Sequence, residues 1–132
     1  MKEYNPPPAP AFTLAARLRS FTYAGRGLRT MLLSQHNAWI HGGATVGAVA
    51  LGLWAAVDRM EWLALILAIV AVWTAEALNT AFEFLCDVAS PDFHPLVEKA
   101  KDVAAGAVLV TALGALAIGA LVFVPHLLQR FG

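Results

Sequence analysis

The sequence predicts an all-α membrane protein, with one N-terminal amphipathic surface helix followed by three transmembrane helices. Three observations carry that prediction. The 132 residues are 59% hydrophobic and only 14% charged, with a mean hydropathy of +0.65; a typical soluble domain is about 25% charged. Three apolar segments, 39–57, 62–86 and 103–124, approach or exceed the ~20 residues that cross a bilayer core. Ahead of them, segment 11–34 repeats apolar residues at helical spacing.

Each element has its own justification. Residues 1–10 contain four prolines and read as a flexible tail that cannot be helical. In 11–34, Leu14, Leu18, Phe21, Gly25, Leu28 and Leu32 form one stripe, with Arg19 and Arg26 on the other face and Arg17 and Arg29 flanking it. Such a helix lies in the membrane interface, arginines toward anionic headgroups, or packs on the bundle; the two are compatible. The first and third spans carry no charge, whereas the second carries Glu76 and Glu83. Asp58 to Glu61 reads as a short hairpin and 89–95 as a loop, with Pro95 suited to the first turn of a new helix. That helix carries Glu98, Lys99, Lys101 and Asp102, continues as the third span, and is expected to end at Pro125. Residues 11–132 thus form a single membrane domain.

Several function classes fall away. Nine basic and nine acidic residues leave no net charge, so nothing points to nucleic acid. The single cysteine, Cys86, forms no intrachain disulfide and reads as a buried structural thiol. Gly43 and Gly47 make a GxxxG that suits generic helix packing. The first apolar run begins too late for a typical signal peptide. Seven of the nine Lys and Arg residues fall in the N-terminal part and the 88–102 loop, against Arg59 and Arg130 on the other side. The positive-inside rule then places the N terminus and that loop in the cytoplasm, and the C terminus outside.

The chemistry concentrates in "EALNTAFEFLCD" (76–87). At about 100° per residue, Glu76, Asn79, Glu83 and Asp87 fall within one narrow helical stripe. A carboxylate inside a span costs ~2.5–3.5 kcal/mol even on the lenient insertion scale, so two on one face call for a function. The stripe leads from the cytoplasmic boundary into the membrane and meets Lys101 and Asp102 at the start of the next span. It can be a polar seam that fixes helix register, a proton or cation path in a small oligomer, or a catalytic site. Spacing alone leaves the last two open.

"EALNTAFEFLCD" followed by "HPLVEKAKDVAAGAV" resembles the signature of the prokaryotic diacylglycerol kinases, a family that includes undecaprenol kinases. The likeness extends upstream through 21–41 and covers nearly everything but the tail. It implies a multi-pass enzyme of the bacterial cytoplasmic (inner) membrane, with its active site on the cytoplasmic side. Such an enzyme transfers the γ-phosphoryl group of ATP to a membrane lipid alcohol, with Mg²⁺, as a homotrimer whose subunits share active sites. No P-loop is present, and phosphoryl transfer can dispense with one. By resemblance, Glu76 is the general base, Asn79 orients the reacting groups, and Glu83 holds Mg²⁺ on the phosphates. Lys101 and Asp102 contact ATP, Asp87 supports the nucleotide side, and Tyr23 with the Asp92-Phe93-His94 turn closes round the nucleotide. Arg19 and Arg26 face the lipid substrate.

One position departs from the family. Where a second metal-binding glutamate often stands, this sequence has Gln35, whose amide oxygen can ligate Mg²⁺ but brings no charge. His36 and His41 lie nearby and read as polar anchors at the membrane interface. "KDVAAGAV" and "HPL" resemble the Gram-positive members and favour undecaprenol over diacylglycerol. Lys101-Asp102 and the basic surface helix favour the kinase over the conduit, which has no need of a nucleotide pocket.

Overall fold

The computed structural model describes residues 12–132, and among them all regular structure is helical. Four helices follow in order: α1 (Leu14–Ser34), α2 (His36–Ala55), α3 (Arg59–Ala89) and α4 (Pro95–Phe131). The expected proline-rich tail lies outside the described residues. Helices α2, α3 and α4 are each long and apolar enough to cross a membrane.

Helix α1 starts at Thr13, whose hydroxyl accepts the Ala16 N–H at 3.2 Å. Such a cap satisfies a backbone donor that the first helical turn leaves unpaired. Extended backbone at Gln35 then separates α1 from α2. Met31 alone of α1 is buried, while Leu14 and Phe21 in the predicted apolar stripe are 71% and 76% exposed. The stripe is therefore not spent on packing within the chain.

The connection between α2 and α3 is tighter than the predicted Asp58–Glu61 hairpin. Ala56 turns the chain in the left-handed region, at φ 52°, and α3 begins at Arg59. The reason is a capping box: Asp58 Oδ1 accepts the Met60 and Glu61 N–H groups, and Glu61 Oε2 accepts the Asp58 N–H. The close return brings Trp62 against Gly52, where a β-carbon would stand 2.7 Å from the indole ring. Only glycine fits there without displacing the ring.

Helices α3 and α4 form the most extensive interface, an antiparallel pair joined by the 90–94 loop. Pro95 occupies the first turn of α4 as expected, and His94 Nδ1 accepts the Leu96 N–H as cap. Pro125, however, does not end α4. The helix runs on to Phe131, because a proline removes only one donor from the ladder and transmembrane helices absorb that loss. Its last turns are held from outside: His126 contacts Glu61 at 3.0 Å, Phe131 stacks on Trp54, and Arg130 lies over the same indole.

The apolar core is small and lies at this end, where Val57, Leu65 and Val122 pack with Trp62, Ile118 and Phe123. Much of the remaining apolar surface of α2–α4 faces outward, as lipid-facing helices require. The other end of the bundle carries the polar groups.

Candidate active site

No glycine or proline interrupts α3, so residues 76–87 project from one continuous helix and keep their angular register. Burial along the stripe is graded. Glu76 is completely buried, Asn79 is 6% exposed, Glu83 is half-buried and Asp87 is exposed. Cys86, on a neighbouring face, is buried as expected.

The middle of the stripe is hydrogen-bonded. Asn79 Nδ2 donates to Glu83 Oε1 at 3.0 Å, and Gln35 Nε2 donates to Glu83 Oε2 at 2.8 Å. The break between α1 and α2 is thereby tied to α3 across 48 residues of sequence. The deep end is not satisfied. Both carboxylate oxygens of Glu76 and the amide oxygen of Asn79 are buried without a hydrogen-bond partner. Such atoms are costly in low dielectric, and each calls for a structural or functional reason. Beside Glu76 opens an apolar cavity of about 510 Å³ between α2, α3 and α4, lined among others by His41, Thr45, Val72, Ala112 and Phe123.

At the shallow end the exposed Asp87 carboxylate accepts a hydrogen bond from the Lys101 ammonium, joining the end of α3 to the start of α4. That bond raises the Lys101 pKa, so the side chain stays cationic at neutral pH. A second cavity of about 340 Å³ gathers Asp87, Asp92, Phe93, His94, Lys101 and Asp102. Six of the eight residues expected around ATP therefore share one pocket. Ser90 and Glu98 also line it and were not anticipated; Glu98 lies three residues before Lys101 on the same helical face, which was the available signal.

Three expected contributors stand apart. Tyr23 stacks with the Arg26 guanidinium at 5.0 Å, and with Arg19 both lie on the exposed surface of α1. None of the three lines either cavity. His41, read as an interfacial anchor, instead turns inward, with Nε2 3.6 Å from Glu76 Oε2.

The donor set suits a hard divalent ion in part. Among the described residues no cluster of three or more His, Cys, Asp or Glu side chains forms a metal cage. Around Glu83 there are instead one carboxylate and the two amides of Gln35 and Asn79, the latter with an unpartnered oxygen. Mg²⁺ favours such oxygen donors and is commonly held by one or two carboxylates together with water and substrate phosphates. The pocket beside it sets Asp87, Asp92, Glu98 and Asp102 against Lys101. So acidic a lining repels a bare triphosphate and suits one accompanied by cations.

Three membrane-length helices, a buried unpartnered carboxylate close to an apolar cavity, and a charged pocket at the helix ends are the parts that an integral-membrane enzyme working on lipid requires. Comparison with known proteins gives the same class. Residues 22–123 match the prokaryotic diacylglycerol kinase family. The chain is 37% identical to an undecaprenol kinase of Bacillus subtilis over 109 residues, covering 83% of this chain and 89% of that one. It is 37% identical to a diacylglycerol kinase of Synechocystis over 85% of this chain and 65% of the relative. With a diacylglycerol kinase of Escherichia coli the identity is 29%, over 73% and 79% of the two chains. The chain belongs to the prokaryotic diacylglycerol kinase family and is a membrane lipid kinase, with ATP as the co-substrate that a kinase of this family implies.

Proposed function

We propose that this kinase uses ATP and Mg²⁺ to phosphorylate the hydroxyl of a membrane lipid alcohol, with undecaprenol favoured over diacylglycerol. The observation that carries the reading is the burial gradient of the α3 stripe, from the unpartnered Glu76 carboxylate to the exposed Asp87–Lys101 pair. The substrate preference rests on the undecaprenol kinase relative, which is aligned over 89% of its length.

Glu76 takes the proton of the lipid hydroxyl as that oxygen bonds to the γ-phosphorus and the bond from phosphorus to the ADP oxygen breaks. Burial keeps water from competing for the phosphoryl group. Asn79, one turn along α3 from Glu76 and hydrogen-bonded to Glu83, orients the reacting groups. Glu83, with Gln35 and Asn79 beside it, would hold Mg²⁺, which when bound neutralises charge on the phosphates. Lys101 offers its ammonium to the phosphates, while Asp102, Asp87 and the 92–94 turn enclose the nucleotide. Arg19 and Arg26 hold α1 against anionic headgroups, and Tyr23, exposed on the same helix, serves the site of a neighbouring subunit. The nucleotide pocket faces the cytoplasm of a bacterial inner membrane, and the working unit is a homotrimer with shared sites.

The test is direct. Purified protein in mixed micelles, given ATP, Mg²⁺ and either undecaprenol or diacylglycerol, should form the lipid phosphate, faster with undecaprenol. Faster turnover of diacylglycerol reverses the preference, and no transfer to either refutes the substrate class.

Gln35 makes a separate expectation. Gln35→Glu exchanges a neutral donor to Glu83 for a second carboxylate. Two unit charges at 4 Å interact by about 4 kcal/mol at an effective dielectric of 20, before desolvation is subtracted. A surviving third of that is about tenfold in affinity. The Mg²⁺ midpoint of the initial rate should therefore fall severalfold in the variant. Identical midpoints would remove residue 35 from the metal.

A further inference from the structure

We propose that His41 is the positioning residue that holds the Glu76 carboxylate in its reactive orientation. The inference rests on the reading of Glu76 as the base and assigns the group that steers it.

Three observations converge. First, His41 Nε2 and both Glu76 oxygens are buried polar atoms without hydrogen-bond partners, and they face each other at 3.6 Å. The two side chains are 14% and 1% exposed, so water is a poor alternative partner. At 3.6 Å the contact is longer than a hydrogen bond. Hydrogen bonds of catalytic groups are often long before substrate binds and tighten in the complex.

Second, the two helices are pinned in register one turn away. The Trp73 indole N–H donates to Thr45 Oγ1 at 3.0 Å, and the Thr45 hydroxyl donates to the His41 carbonyl at 2.7 Å. Trp73 precedes Glu76 by three residues and Thr45 follows His41 by four, so both pairs span the same α2–α3 seam. The bridge fixes the backbone that carries His41 opposite the turn that carries Glu76.

Third, among the described residues no other charged group shares this corner apart from Glu83 further along α3. The α2 and α4 residues lining the cavity add none, and Gln35 at the end of α1 is a neutral amide. Asn79 directs its N–H to Glu83. Among the described residues, His41 is the side chain with a buried, uncommitted nitrogen beside the carboxylate. With the Nε2 proton aimed at one Glu76 oxygen, the other oxygen is left to accept the lipid proton.

The test compares His41→Ala, His41→Gln and His41→Asn with wild type in the same micelles, with undecaprenol and diacylglycerol, together with Glu76→Gln. His41→Ala should lower kcat by about 10–100-fold, the scale of a misplaced catalytic group, while KM for ATP and lipid stays within about twofold. Glutamine carries an N–H near the Nε2 position and should restore most of kcat; asparagine, which stops near Nδ1, should not. Equal thermal unfolding of the histidine variants is expected. If Ala matches wild type, or Gln and Asn behave alike, His41 does not steer the carboxylate. An inactive Glu76→Gln protein in that case leaves the base assignment standing. An active one instead overturns the base assignment itself.

Discussion

Glu76→Gln is expected to abolish turnover while leaving the protein folded. The substitution keeps the volume of a fully buried side chain and removes its ability to take a proton. General-base catalysis contributes typically 10²–10⁴-fold, so the loss amounts to about 3–5 kcal/mol of transition-state stabilisation. Stability should move the other way or not at all. A carboxylate held without hydrogen bonds inside a span is a burden that the neutral amide lightens. Initial rates at saturating ATP and lipid, beside thermal unfolding in the same detergent, separate the two effects. Near-normal turnover would sink the assignment, and lost activity with lost folding would leave Glu76 as a structural residue.

The second large effect is expected at Lys101. Its ammonium is partly exposed and hydrogen-bonded to the exposed Asp87, a pairing that contributes little to stability at such a site. Its weight should fall on the nucleotide instead. A hydrogen bond to a charged group is worth about 1.5–3 kcal/mol, so Lys101→Ala should raise KM for ATP by about 10–100-fold. KM for the lipid alcohol should hold, because the cavity beside Glu76 lies deeper and is lined by other residues. An ATP titration at fixed lipid decides the matter. An unchanged KM for ATP would take Lys101 out of the nucleotide site.

How much of this was legible beforehand depended on the range of the interaction. The three spans follow from apolar runs, and the α3 stripe from spacing within one helix, both of which are local. The Asp58–Glu61 box was also local, but a capping residue beside a proline-free turn resembles a hairpin unless the box is recognised as a helix start. Pro125 misled because proline ends helices in water, where freed backbone groups find solvent; in a membrane the helix is the cheaper state. The contacts between helices were of another kind. Gln35 was set beside Glu83 only through family likeness, across 48 residues. His41 was missed because its meaning depends on which face of α2 meets α3, and an uncharged run of Gly, Ala and Val carries no marker of that face.

Helix α4 is 37 residues long, or about 55 Å, nearly twice a hydrocarbon core of ~30 Å. A rod of that length, unbroken at Pro125 and packed along α3, makes the two helices one rigid lever. Tilting it by ~10° about its middle carries each end through about 5 Å. Tilt is how a span answers a bilayer thinner or thicker than its apolar length. The groups that tilt displaces are those meeting across the seam to the rest of the chain: Glu83 from Gln35, and Glu76 from His41. A bilayer that tilted the α3–α4 pair would therefore act on the spacing of the site itself.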